Sequence, residues 1–213
     1  MKTDALIESL TERAGPVTAA TMTRAMLLGL GGGVLASFVL MQLWLGIRPD
    51  LMPAMHTGSY WMKFFYTLMF AVAGFWTLER LSRPGASSRL QMVLEALPFA
   101  LLAAWASMKM MMAPVDARMT MLMGSSHQVC PWRIVVLAFP VFAGVFWGLR
   151  KAAPTRPVLT GAMAGLLAGA AGAFIYALHC DESAAAFVAM WYTLGIAMMG
   201  LFGAVLGRFA LRW

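Results

Sequence analysis

The residues of this 213-residue chain best suited to chemistry are its two cysteines. Cys130 stands in Gly124-Ser125-Ser126-His127-Gln128-Val129-Cys130-Pro131-Trp132, and Cys180 in His179-Cys180-Asp181-Glu182. Thiolates and imidazoles bind soft and borderline divalent ions, so Cys130, Cys180, His179, His127 and Glu182 make a candidate set for transient capture of a soft metal. The same two thiols could instead form a Cys130–Cys180 disulfide, which needs an oxidising compartment and Cα atoms within about 7 Å, or stay as buried, unpaired thiols. His179, Cys180 and Glu182 are also the best catalytic set on offer. No neighbouring motif supplies a substrate pocket for them, and the chain is not expected to be an enzyme.

Methionine is the other unusual feature, with 20 copies. Met108, Met110, Met111, Met112, Met119, Met121 and Met123 crowd one stretch. Thioethers bind Cu(I), which makes a copper transporter or other metal-handling membrane protein the rival reading. These seven follow no regular ligand spacing, however, and methionine is also an adaptable apolar filler.

The elements that position these residues are membrane spans. Hydrophobic residues make up 61% of the chain and charged ones 12%, against about 45–50% and about 25% in a soluble domain. The mean hydropathy is +0.75. A hydrocarbon core takes roughly 20 apolar residues per helix, and six stretches qualify, at about 25–47, 60–79, 91–112, 133–149, 158–178 and 185–207. The expected fold is all-α, a polytopic bundle of six transmembrane helices. Residues 1–24 form a separate tail, and residues 25–213 form the membrane domain.

The net charge of +7 sets the expected orientation. Basic residues collect in cytoplasmic loops. With the N-terminus inside, eleven lie inside and only Arg48, Lys63, Lys109, Arg118 and Arg133 lie outside. Both termini are therefore expected in the cytoplasm, and both cysteines on the outer side, Cys130 ending the loop between the third and fourth spans and Cys180 beginning the loop between the fifth and sixth. Dispersed over the loops, the basic residues make no clustered patch for nucleic acid. Lys63 and Lys109 are read as snorkelling from span ends. No acidic residue falls at the centre of a span, which argues against a proton-coupled carrier.

Small residues recur every four positions at Gly161, Gly165 and Gly169, at Gly203 and Gly207, and at Gly29 and Gly33. That spacing lets helix backbones approach closely in lipid, and it predicts intramolecular packing of the fifth and sixth spans ahead of the alternative, a dimer face. In the tail, a helix from Asp4 to Arg13 places Leu6, Ile7 and Leu10 on one face and Asp4, Glu8 and Glu12 on roughly the opposite one. Like charges at that spacing repel, and a basic partner would relieve them. The tail reads as a protein-docking helix, with Asp4, Leu6, Ile7 and Leu10 as its contact residues, or else as a frayed leader before the first span.

The leader Met1-Lys2-Thr3-Asp4-x-Leu6-Ile7, the Ser126-x-x-x-Cys130-Pro131 region and the string His179-Cys180-x-Glu182 followed by Phe187, Trp191-Tyr192 and Gly195 resemble the NrsF family, negative regulators of the sigma-F factor. The likeness covers essentially the whole chain. It implies a multi-pass anti-sigma factor of a bacterial inner membrane, whose tail holds an extracytoplasmic-function (ECF) sigma factor inactive. It also implies that Cys130 and Cys180, on the periplasmic side, sense heavy-metal or oxidative stress.

Overall fold

The computed structural model describes residues 19–83, 89–150, 152 and 154–211. Lipid offers the backbone no hydrogen-bond partner, so apolar runs of this length must close their bonds internally as helices. Among the described residues there are eight helices: α1 Ala19–Trp44, α2 Leu51–Met55, α3 Gly58–Leu81, α4 Arg89–Met112, α5 Val115–Met123, α6 Cys130–Leu149, α7 Pro157–Tyr176 and α8 Ala185–Ala210. There is no strand among the described residues. Six of the eight, all but α2 and α5, are long and apolar enough to cross a membrane.

Local sequence sets the helix ends. Gly46, in the left-handed region at φ +71°, turns the chain out of α1 while its N–H donates to the Met41 carbonyl at 3.0 Å. The Thr57 hydroxyl accepts from the Tyr60 N–H at the start of α3. Pro131 and Pro157 occupy the first turns of α6 and α7, where a missing N–H costs nothing. In α8 the residues Val188–Tyr192 form a π-helical turn, a feature that often marks a functional segment.

Helix α7 is the centre of the bundle and packs against α8, α6 and α3. Helix α1 lies along α6, and α4 packs on α3 and on the first turns of α8. Glycine sets the closest approaches. A Cβ on Gly161 would collide with the Gly203 carbonyl, and one on Gly165 with the Met199 carbonyl. One on Gly169 would sit 2.8 Å from Ile196 Cα, and one on Gly207 2.5 Å from the Pro157 carbonyl oxygen. Gly29 and Gly33 do for α1 what these do for α7: they meet Gly144 and Val141 of α6 backbone to backbone.

Six long helices in alternating directions put the start of α1 and the end of α8 at one end of the bundle, the terminal end. The connections 45–57, 113–129 and 177–184 gather at the other, the cysteine end. The last two spans run Pro157–Tyr176 and Ala185–Ala210 rather than 158–178 and 185–207, and the fourth span starts at Cys130 rather than 133. Cys130 is thus the first residue of a helix, not the last of a loop. The short helices α2 and α5, which span propensity does not reveal, occupy two of the connections. The tail residues Asp4, Leu6, Ile7 and Leu10 lie outside the described residues.

Candidate functional site

Polar connections at the end of an apolar bundle are ordered only when their backbone groups find partners. Here the three connections are tied to one another around Cys180. Its N–H donates to the Tyr176 carbonyl at 3.0 Å, continuing the last turn of α7, while the Cys130 N–H reaches the Ser126 carbonyl at 2.9 Å. Both cysteines are free thiols and both are buried, Cys130 completely. The Cys180 sulfur lies beside the Cys130 thiol and the Tyr192 hydroxyl, the latter in the π-helical turn of α8. The Cys180 thiol is held below the usual thiol range. The Cys130 thiol donating to it is the main cause, and the Lys63 ammonium adds to the effect, while burial opposes both.

Two cations hold the Cys180 carbonyl. Lys63 Nζ donates to it at 2.7 Å and to the Glu182 carbonyl at 2.9 Å, and lies 5.7 Å from the centre of the Tyr192 ring. Arg48 Nη1 donates to the same Cys180 oxygen at 3.1 Å. The remaining Arg48 nitrogens Nε and Nη2 grip the Asp50 carboxylate at 2.7 and 2.6 Å. That bidentate pair raises the guanidinium pKa and lowers that of Asp50. Lys63 is only 1% exposed, so it does not snorkel as its place near a span end suggested. Burying an ammonium is costly unless hydrogen bonds compensate it, and here carbonyl oxygens of the 177–184 connection supply them.

The other candidate residues are engaged as braces. Glu182 Oε1 accepts from the Ser125 N–H at 2.6 Å, the Ser125 hydroxyl at 2.8 Å and the Ser126 N–H at 3.3 Å. It reaches them only because residue 124 is glycine: φ is +53° there, and a Cβ would come within 2.5 Å of that carboxylate. His179 Nδ1 donates to the Gly46 carbonyl at 3.0 Å, which leaves Nε2 to accept from Arg133 at 3.4 Å. His127 packs on the Trp191 ring at 5.4 Å between centroids, and Trp191 Nε1 donates to the Leu122 carbonyl at 2.8 Å.

The five candidate metal ligands therefore do not converge. Among the described residues, no group of three or more His, Cys, Asp or Glu side chains could hold a metal ion. The reason is visible in the bonding: His179 spends both nitrogens on protein partners, and Glu182 spends its carboxylate on the 113–129 connection. What remains is a pair of adjacent buried thiols, able to be oxidised together or to share a soft ion. Four of the clustered methionines, Met108, Met111, Met112 and Met119, are exposed on the surface of α4 and α5. Sequence reasoning missed Arg48, Lys63 and Tyr192. The available signal was Lys63 itself, because an ionisable residue within a span is by default a functional candidate.

Residues 10–213 match the family model NrsF, negative regulator of sigma F. The chain is 40% identical over 214 residues to the anti-sigma-F factor NrsF of Caulobacter vibrioides (strain NA1000 / CB15N). It is 37% identical over 213 residues to the probable anti-sigma-F factor NrsF of Azospira oryzae. Both alignments cover the whole of both chains. No solved structure matches the chain.

Proposed function

The chain belongs to the NrsF family of negative regulators of sigma F, and from that premise we propose that it is an inner-membrane sensor whose periplasmic cysteine pair controls a cytoplasmic sigma-binding tail. The family role is regulatory, and the partner of an anti-sigma factor is a sigma factor. In this reading the cysteine end faces the periplasm, in keeping with eleven basic residues on the opposite side. The tail, through Asp4, Leu6, Ile7 and Leu10, holds an ECF-type sigma factor away from RNA polymerase.

The observation that carries the sensing is the contact between two free thiols at the end of the bundle opposite the start of α1. Oxidation of the pair, or capture of a soft ion between them, changes the Cys180 connection and releases the sigma factor. Moving a two-state equilibrium from 1:99 to 99:1 takes about 5.5 kcal/mol of differential interaction. A disulfide or a metal–thiolate site reaches that order, whereas one neutral hydrogen bond does not.

A sigma-F-dependent reporter titrated with cadmium tests this in four genotypes: wild type, Cys130→Ser, Cys180→Ser and the double variant. Both thiols are needed for either chemistry, so the three variants share one phenotype, loss of the graded response, and their effects do not add. A wild-type induction curve in the double variant would refute the sensing role.

A further inference from the structure

The 177–184 connection is attached to more than its own two helices. Three hydrogen bonds tie it to residues 46–48, which lead out of the C-terminal end of α1. The Arg48 N–H donates to the Leu178 carbonyl at 3.2 Å, Arg48 Nη1 to the Cys180 carbonyl at 3.1 Å, and His179 Nδ1 to the Gly46 carbonyl at 3.0 Å. Asp50 holds the Arg48 side chain in place from the far side. Gly46 and Arg48 stand two and four residues beyond the last residue of α1, and the Leu45 and Gly46 N–H groups both bond back to the Met41 carbonyl of that helix. The clamp is therefore on the short segment that carries the chain out of α1.

Helix α1 also lies along α6, whose first residue is Cys130. Gly29 faces Gly144 and Gly33 faces Val141 at backbone contact, and the Ser37 hydroxyl donates to the Leu137 carbonyl at 2.6 Å. One helix thus meets the elements that bear both thiols, along its side for Cys130 and through the segment beyond its tip for Cys180. The opposite end of that helix continues into the N-terminal segment. At 1.5 Å per residue its 26 residues span about 39 Å, enough to cross the bilayer in one rigid piece.

We infer that Arg48 is a positioning residue for signal transmission, clamping the Cys180 connection to the segment that leads out of α1 so that a change at the thiol pair moves α1 and, with it, the segment before Ala19. This rests on the cysteine-sensing reading above. Arg48 fills the role better than a lysine because its fork serves Asp50 and the Cys180 carbonyl together, which a single ammonium on a flexible stem does not. A packed helix responds to such a pull by shifting as a body, since tightly packed interfaces have discrete arrangements rather than elastic ones.

The test uses the full-length protein. Cadmium bound per chain is measured on purified wild type, Arg48→Met, Arg48→Lys, Asp50→Asn and Cys180→Ser, and the induction ratio of a sigma-F-dependent reporter is measured at matched membrane abundance. Arg48→Met is expected to bind as much cadmium as wild type while its induction ratio falls by about tenfold or more, the scale set by losing a hydrogen bond to a charged group. Arg48→Lys restores part of the ratio. Asp50→Asn, which keeps the guanidinium and removes only its anchor, gives a smaller loss in the same direction and decides the matter if Arg48→Met does not accumulate. Full induction in both Arg48→Met and Asp50→Asn would overturn the inference. So would loss of cadmium binding in Arg48→Met, because Arg48 would then act on the thiols and not on transmission. Normal induction in Cys180→Ser is a different result, and it refutes the sensing reading on which the inference stands.

Discussion

A single methyl group at the seam between α7 and α8 should destabilise the bundle measurably. Gly165→Ala places a Cβ against the Met199 carbonyl, inside van der Waals contact, and 3.0 Å from Gly200 Cα. Those atoms are backbone, so no side chain can rotate away and α8 itself must retreat. It cannot tilt locally, because Gly161 against Gly203 on one side and Gly169 against Ile196 on the other hold the same seam. Overpacking of this kind costs about 1–3 kcal/mol. Better helix propensity of alanine returns about 1 kcal/mol, leaving a net loss of up to about 2 kcal/mol. For a chain of this length that lowers the unfolding midpoint by up to roughly 8 °C. Gly31→Ala is the control: it lies in α1 with nothing within 4 Å of its would-be Cβ, so only the propensity gain applies and the midpoint should hold or rise. The assay is thermal unfolding of the full-length protein in detergent, followed by circular dichroism. Equal midpoints for the two variants would refute the claim that glycine sets the α7–α8 distance.

Glu182→Ala should free the Ser125 and Ser126 amides, and their hydrogen exchange should accelerate by tenfold or more, on the order of one charged hydrogen bond; unchanged exchange would mean that the carboxylate does not brace the 113–129 connection. Lys63→Met removes a cation that favours the Cys180 thiolate, so the pH midpoint of Cys180 reaction with methyl methanethiosulfonate should move up, and a fixed midpoint would show that Lys63 serves only the backbone. Changing Leu6 and Leu10 to Asp removes two aliphatic contacts of about 1.5–3 kcal/mol each and should weaken sigma binding by roughly a hundredfold or more; retention of the sigma factor at the membrane would move docking elsewhere. Alkaline phosphatase fused near residue 125 should be active and a C-terminal fusion silent, with the reverse pattern overturning the proposed orientation.

Composition and run length alone determined the all-α class and the six spans, because a bilayer admits few solutions for a chain that is 61% hydrophobic. The glycine repeats were equally legible: four-residue spacing has one structural meaning in a helix, a face on which backbones can touch. Only the tertiary structure decided what happens at the cysteine end. A lysine near a span end looks the same in sequence whether it snorkels or turns inward, and Lys63 turns inward because two carbonyls of a connection about 120 residues away receive it. His127, His179 and Glu182 have the residue types of metal ligands, but side-chain type does not say which partner claims the lone pair first. In the folded chain Glu182 is claimed by two serines, His179 by Gly46 and Arg133, and His127 is packed on Trp191. The meeting of Cys130 with Cys180, and of both with α1, comes from the order in which antiparallel helices pack, a non-local fact that residue spacing along the chain does not encode.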